Sequence, residues 1–154
     1  MYLSVILLAP VEVKINDGYK RKAGEKLKNS PLLVKIGITG SYGKTSVKTI
    51  MDSILSLQYS VCASEKSFNT PMGLCKTINN NLKSTHEILI AEMGAKKVGE
   101  IKELCDFISP DIGVITAVGR QHMESFGSID NVYKTKKELA DSVSKCVFNL
   151  DNEL

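Results

Sequence analysis

The stretch VKIGITGSYGKTS, Val34 to Ser46, decides the reading of this chain. Val34 to Thr39 is a short β-rich run, and the residues from Thr45 to about Gln58 repeat apolar positions with helical spacing, placing Val47, Ile50, Ile54 and Leu57 on one face. Between them lies a glycine-rich turn. A strand, such a turn and a helix in that order aim backbone N–H groups and the positive end of the helix at one point, which is a ready seat for an anion. Lys44 can reach the terminal phosphates of a nucleotide, and the Thr45 hydroxyl suits a Mg²⁺ ion. Gly40, Ser41, Tyr42, Gly43, Lys44, Thr45 and Ser46 are therefore candidate nucleotide-binding residues. The usual phosphate-loop pattern G-x-x-x-x-G-K-[ST] would place glycine at 38, where Ile38 stands, so this is a shorter variant.

Working outward, the strand-and-helix alternation continues. Residues 60–63 read as a short strand, 73–82 as a helix, 87–93 (EILIAEM) as a strand and 98–108 as a helix stopped by Ser109-Pro110. Then come a strand at 112–118 (IGVITAV), a loop at 119–127, a helix at 128–143 and a strand at 145–150. Crossovers of this length predict an α/β fold of P-loop type, a mostly parallel sheet with helices on both faces. Ligands of such sheets bind beyond the carboxyl ends of the strands, so the functional residues are expected just after strands.

The formal net charge of +3 resides in the first 31 residues, where Lys14, Lys20, Arg21, Lys22, Lys26 and Lys28 face Glu12, Asp17 and Glu25; the remainder is balanced. A balanced body with sparse aromatics speaks against a nucleic-acid partner. Cys62, Cys75, Cys105 and Cys146 are widely spaced, with no C-x-x-C pair, and read as small buried hydrophobes of a cytoplasmic protein. Residues 1–31 read as a linker or the remnant of an upstream domain. Their apolar start, Met1 to Ala9, is far short of the ~20 residues of a membrane span. It reads as a short strand or linker, with the end of a membrane segment, and so peripheral membrane association, as the alternative. The domain proper is expected from residue 32 to 154.

Two polar residues fall where apolar ones are expected. Glu92 closes the run ILIAEM, where a carboxylate must be paired or hold a cation. Lys136 sits in the middle of the apolar stripe Ile129, Val132, Leu139, Ala140 and Val143. An inward lysine loses hydration, its pKa falls and its neutral amine becomes reactive. Lys134 and Lys137 lie on the opposite side, each four residues before an acid, Glu138 and Asp141, as on a solvated face. His86 precedes a strand and is assigned no role.

The loop TGSYGKTS resembles that of the Mur ligases, ATP-dependent enzymes that add amino acids to cell-wall precursors. The resemblance continues through Ser67 to Gly73 (SFNTPMG), Glu92-Met93-Gly94, Gly99-Glu100-Ile101 and Gly119 to Ser128 (GRQHMESFGS), and covers residues 34–154. These later segments are most similar to the branch that adds D-alanyl-D-alanine to a nucleotide-linked tripeptide. The resemblance implies an ATP- and Mg²⁺-dependent ligase working through an acyl phosphate, with ATP, a UDP-linked muramoyl peptide and an amino-acid or dipeptide acceptor as partners. By resemblance Thr45 and Glu92 hold one Mg²⁺, and Asn69 lies beside the phosphates. His122 and Lys136, fourteen residues apart, serve a second Mg²⁺, Lys136 as its carbamate. Lys44, His122 and Lys136 are thus the expected catalytic residues, in a monomeric cytoplasmic enzyme. Ala117 and Gln121 depart from the family pattern. Asn149 and its neighbours resemble the middle of the family's central domain, so the resemblance implies that the family's outer domains lie outside this chain and that the chain alone does not complete ligation. Two other readings share the loop: a regulatory P-loop switch, and a folylpolyglutamate synthase-like ligase.

Overall fold

The structure is a computed structural model that describes residues 2–120 and 123–151, with side chains from Val13 onward. Five strands form one parallel sheet in the order β2-β3-β1-β4-β5: β1 (Val34–Thr39), β2 (Val61–Ala63), β3 (Ile88–Glu92), β4 (Ile112–Ile115) and β5 (Lys145–Phe148). The predicted fold class is what is observed. One face of the sheet packs Ile36, Ile38, Ile88 and Ile90 against Val47, Met51 and Leu55 of α2 (Lys44–Leu55). The other face carries α3 (Pro71–Asn81), α4 (Glu100–Ile108) and α6 (Ile129–Asp141), whose Leu74, Ile78, Ile101, Leu104 and Leu139 meet Leu89, Ala91 and Met93. Because β1 lies between β3 and β4, the loops leaving these three strands converge on one rim, the topological switch point where such sheets bind ligands.

Several expectations need correction. The apolar start, read as a short strand or linker, belongs instead to a helix, α1 (Tyr2–Lys28), despite Pro10 within it. Its last turns belong to the domain: Ala23 is fully buried in the core, and the Lys26 ammonium donates to the carbonyls of Ile78, Asn79 and Leu82 at 3.1, 2.8 and 2.9 Å. These are carbonyls that the end of α3 cannot satisfy itself, and a cation is favoured at that negative helix end. Among the described residues, no helix is long and apolar enough to cross a membrane.

The second correction concerns α2. Of the expected apolar face, Ile50, Ile54 and Leu57 are exposed, and the buried face instead runs through Val47, Lys48, Met51 and Leu55. Third, β4 stops at Ile115 rather than 118, and the residues that follow bond the end of β1 and the loop beyond it: the Thr116 N–H donates to Thr39 O at 3.0 Å and the Ser41 N–H to Ala117 O at 2.7 Å. Fourth, Glu138 does not serve Lys134. Its carboxylate accepts from the backbone N–H groups of Gly99 and Lys102 at 2.6 and 2.9 Å and so caps the start of α4, while Lys137 and Asp141 pair at 2.5 Å as expected. The loop expected at 119–127 also contains a short helix, α5 (Met123–Phe126).

Leu139 shows how α6 is fixed. It is fully buried and seats over the paired Gly37 and Gly113 of β1 and β4. Leu139→Ala removes this contact and is expected to lower unfolding free energy by about 2–5 kcal/mol, measured by urea denaturation; a loss below about 1 kcal/mol would contradict the packing described.

Candidate functional site

The loop between β1 and α2 is built to hold a fixed shape. Gly40 has φ 151°, and a Cβ there would lie 2.0 Å from Thr116 Oγ1, so only glycine fits. The loop is laced to the segment after β4: the Ser41 hydroxyl donates to Gly119 O at 3.1 Å and accepts from Gly119 N at 3.0 Å, and the Thr116 hydroxyl donates to Tyr42 O at 2.5 Å. Lys44 opens α2 and folds back, donating to Gly40 O at 2.7 Å. Burial lowers its pKa and the nearby Glu92 carboxylate raises it. Thr45, Ser46 and Tyr42 face solvent around the same turn.

Glu92 ends β3 and is 1% exposed. Its carboxylate draws on two chain segments, the first turns of α2 and the loop after β2. The Thr45 hydroxyl donates to Oε2 at 3.0 Å, the Asn69 amide to Oε1 at 3.2 Å, and the Lys48 ammonium lies 2.9 Å from Oε2. The Glu92 N–H is in turn received by Ser64 Oγ at 3.1 Å. Asn69 is held by its own backbone, its carbonyl accepting from Gly94 N at 2.8 Å, and its side chain lies over Gly94, where a Cβ would come within 2.7 Å. Lys48 also donates to the carbonyl of Lys66, a residue in the left-handed region at φ 43°. Sequence reasoning missed Lys48 and Ser64. The signal for Lys48 was a lysine adjoining the Val47, Met51, Leu55 face, hidden because the competing Ile50, Ile54, Leu57 stripe is the more apolar.

Lys136 is directed inward, as its place in the α6 stripe implies, and is 3% exposed. Its ammonium lies 5.8 Å from the centroid of the Phe126 ring. Burial first, and then the Lys44 charge, push its pKa down to about 8, with Glu138 opposing. A cavity of about 350 Å³ joins Lys44, Asn69, Gly94, Lys96 and Lys136. The structure thus brings Lys44, Thr45, Asn69, Glu92 and Lys136 to one rim. His122 and Gln121 lie outside the described residues. His86 sits on a turn at the other end of β3, accepting from Lys83 N at 2.9 Å. Cys62, Cys75 and Cys105 are buried and Cys146 half-buried; burial raises each thiol pKa, that of Cys62 to about 11.

Residues 38–154 match the Mur ligase middle domain. The chain belongs to the Mur ligase family. Among its Mur relatives, the UDP-N-acetylmuramoyl-tripeptide–D-alanyl-D-alanine ligase of Mycobacterium leprae is 38% identical over 123 residues, 78% of this chain and 24% of that protein. The Bacillus subtilis enzyme of the same name is 36% identical over 110 residues, 71% of this chain and 24% of that protein. The chain therefore spans about a quarter of the length of these curated relatives. Among solved Mur structures, the MurF ligase of Thermotoga maritima in complex with ADP superposes with a TM-score of 0.81 at 35% identity, covering 88% of this chain and 32% of that one. MurF of Acinetobacter baumannii superposes at 0.83 with 23% identity over 90% of this chain and 31% of that one, a likeness of fold.

The Lys136 environment gives a measurable pH dependence. Its neutral amine should accumulate as pH rises through about 8, well below lysine's ordinary 10.5. In the window between those values the unfolded chain keeps a proton that the folded chain has released, so this group adds stability as pH rises. Acetylation of Lys136 by acetic anhydride, followed by peptide mass spectrometry, should reach half its maximal rate near pH 8; a midpoint at the ordinary lysine value would show that the side chain is solvated.

Proposed function

We propose that this chain is the ATP-binding central domain of a peptidoglycan-precursor ligase of the D-alanyl-D-alanine-adding branch, working with ATP, a UDP-linked muramoyl peptide and a dipeptide acceptor in the cytoplasm, as a monomer. The observation that carries this reading is Glu92, a buried carboxylate bonded to the first hydroxyl of the phosphate-loop helix, in a chain whose relatives bear that branch's name. The ADP-bound Thermotoga maritima neighbour supports the nucleotide assignment, and the relatives' names favour this branch over a folylpolyglutamate synthase-like ligase.

The chemistry asked of the chain is charge neutralisation and alignment. Backbone N–H groups of residues 40–46 and the N-terminus of α2 cradle the β- and γ-phosphates, and Lys44 turns from Gly40 O to the transferring phosphoryl group. Thr45 and Glu92 offer a hydroxyl and a carboxylate 3.0 Å apart, hard oxygen donors that fit Mg²⁺. Bound there, Mg²⁺ supplies Lewis-acid polarisation of the phosphates. Asn69 holds the Glu92 carboxylate in register for that contact. The substrate carboxylate takes the γ-phosphoryl group, ADP leaves, and the acceptor amine displaces phosphate to form the amide. Lys136, with a pKa near 8, has enough neutral amine to add to CO₂; the N–C bond forms, the amine proton passes to solvent, and a carbamate faces the cavity. With His122 it would hold a second Mg²⁺.

Lys44→Ala should weaken binding of ADP with Mg²⁺ to this chain by about 10- to 100-fold, the effect of losing a charged hydrogen bond to phosphate, as read by titration with a fluorescent ADP analogue. Unchanged affinity would remove the loop from the nucleotide site.

A further inference from the structure

A buried carboxylate cannot stand bare, and the cation beside Glu92 is Lys48. We infer that Lys48 is a built-in counter-ion that occupies Glu92 until a divalent cation displaces it, a positioning residue that sets how tightly the site takes metal. The inference rests on the proposed role of Glu92 as a metal-holding carboxylate.

Four observations support it. Both side chains are almost fully enclosed, with exposures of 5% for Lys48 and 1% for Glu92, so neither charge is stabilised by water and each depends on the other. Lys48 and Thr45 meet the same oxygen, Oε2, at 2.9 and 3.0 Å, while Oε1 accepts from the Asn69 amide. A metal shared by Thr45 and Glu92 would therefore arrive next to the ammonium, where two cations repel. The Lys48 ammonium also donates to the Lys66 carbonyl, a second partner that does not depend on Glu92. Finally, a second seat lies beside it. A hollow of about 290 Å³ is lined by Lys48, Asp52, Glu65 and Lys66, and Asp52 is one helical turn beyond Lys48. The displaced ammonium would exchange one carboxylate for others without leaving the protein unpaired.

The consequence is a site that stays neutral and ordered when empty, and that resists metal unless the metal's charge is shared with phosphates. Lys48→Met removes the competitor, and Lys48→Met with Glu92→Gln removes both charges. The test is Mn²⁺ binding to the 154-residue chain without nucleotide, from the electron paramagnetic resonance signal of free Mn²⁺, with thermal melting in EDTA and in Mn²⁺. Lys48→Met should bind Mn²⁺ about tenfold or more tighter than the wild type, melt lower in EDTA and recover in Mn²⁺. The double variant should melt like the wild type in EDTA and ignore Mn²⁺. Mn²⁺ affinity of Lys48→Met equal to or weaker than wild type overturns the inference, as does a single variant that stays unfolded in Mn²⁺ while the double variant folds. If the wild type takes up Mn²⁺ with ADP but Lys48→Met shows no gain without it, only Lys48's role is lost. If the wild type takes up no Mn²⁺ even with ADP, the metal assignment of Glu92 falls with it.

Discussion

A carboxylate at the end of a central strand, almost wholly removed from water, is the constraint around which this fold is arranged. Glu92 is satisfied only when the start of α2, the segment after β2 and the end of β3 come together, because Thr45 and Lys48 reach it from α2 and Asn69 from the segment after β2. Desolvating such a group without partners costs more than any single packing contact returns. The polar rim and the apolar core are therefore set by the same arrangement: Ile36, Ile38, Ile88 and Ile90 hold β1 beside β3, and that register puts Ile38 opposite Glu92. The loop after β1 is then fixed from its other flank by the Ser41 and Thr116 bonds to the segment after β4.

The two lysines of the cavity differ for a physical reason. Lys44 loses solvation but has Glu92 near enough to oppose the loss. Lys136 rests over Phe126 and feels the repelling charge of Lys44, and Glu138, whose carboxylate is bonded to the start of α4, only partly opposes the fall to about 8. A single acid thus holds two helices together and leaves a reactive amine between them. That division fits the roles proposed for them, a cation for phosphate in Lys44 and a deprotonated amine in Lys136.

What could be read from the sequence was whatever depends on local pattern. The phosphate loop, the five strands and the inward lysine of α6 each announce themselves within one or two turns of chain. What could not be read depends on partners distant in sequence. Lys26 looks like one of several surface lysines until α3 brings its terminal carbonyls to it. Glu138 matches a helical pair with Lys134 until α4 offers unsatisfied N–H groups. In α2 the local pattern favours Ile50, Ile54 and Leu57 over a face containing Lys48, and nothing local shows that Glu92 will need that lysine. The helix at residues 2–28 was hidden by Pro10 and the dense charge that follows, which read as a linker.

The most direct measurement is a crystal structure of the chain with Mg²⁺ and a non-hydrolysable ATP analogue. The account predicts the β- and γ-phosphates within the loop at residues 40–46, a metal ion bridging Thr45 and Glu92, and the Lys48 ammonium moved toward Asp52. Nucleotide bound away from that loop, or Glu92 holding no metal, would contradict it.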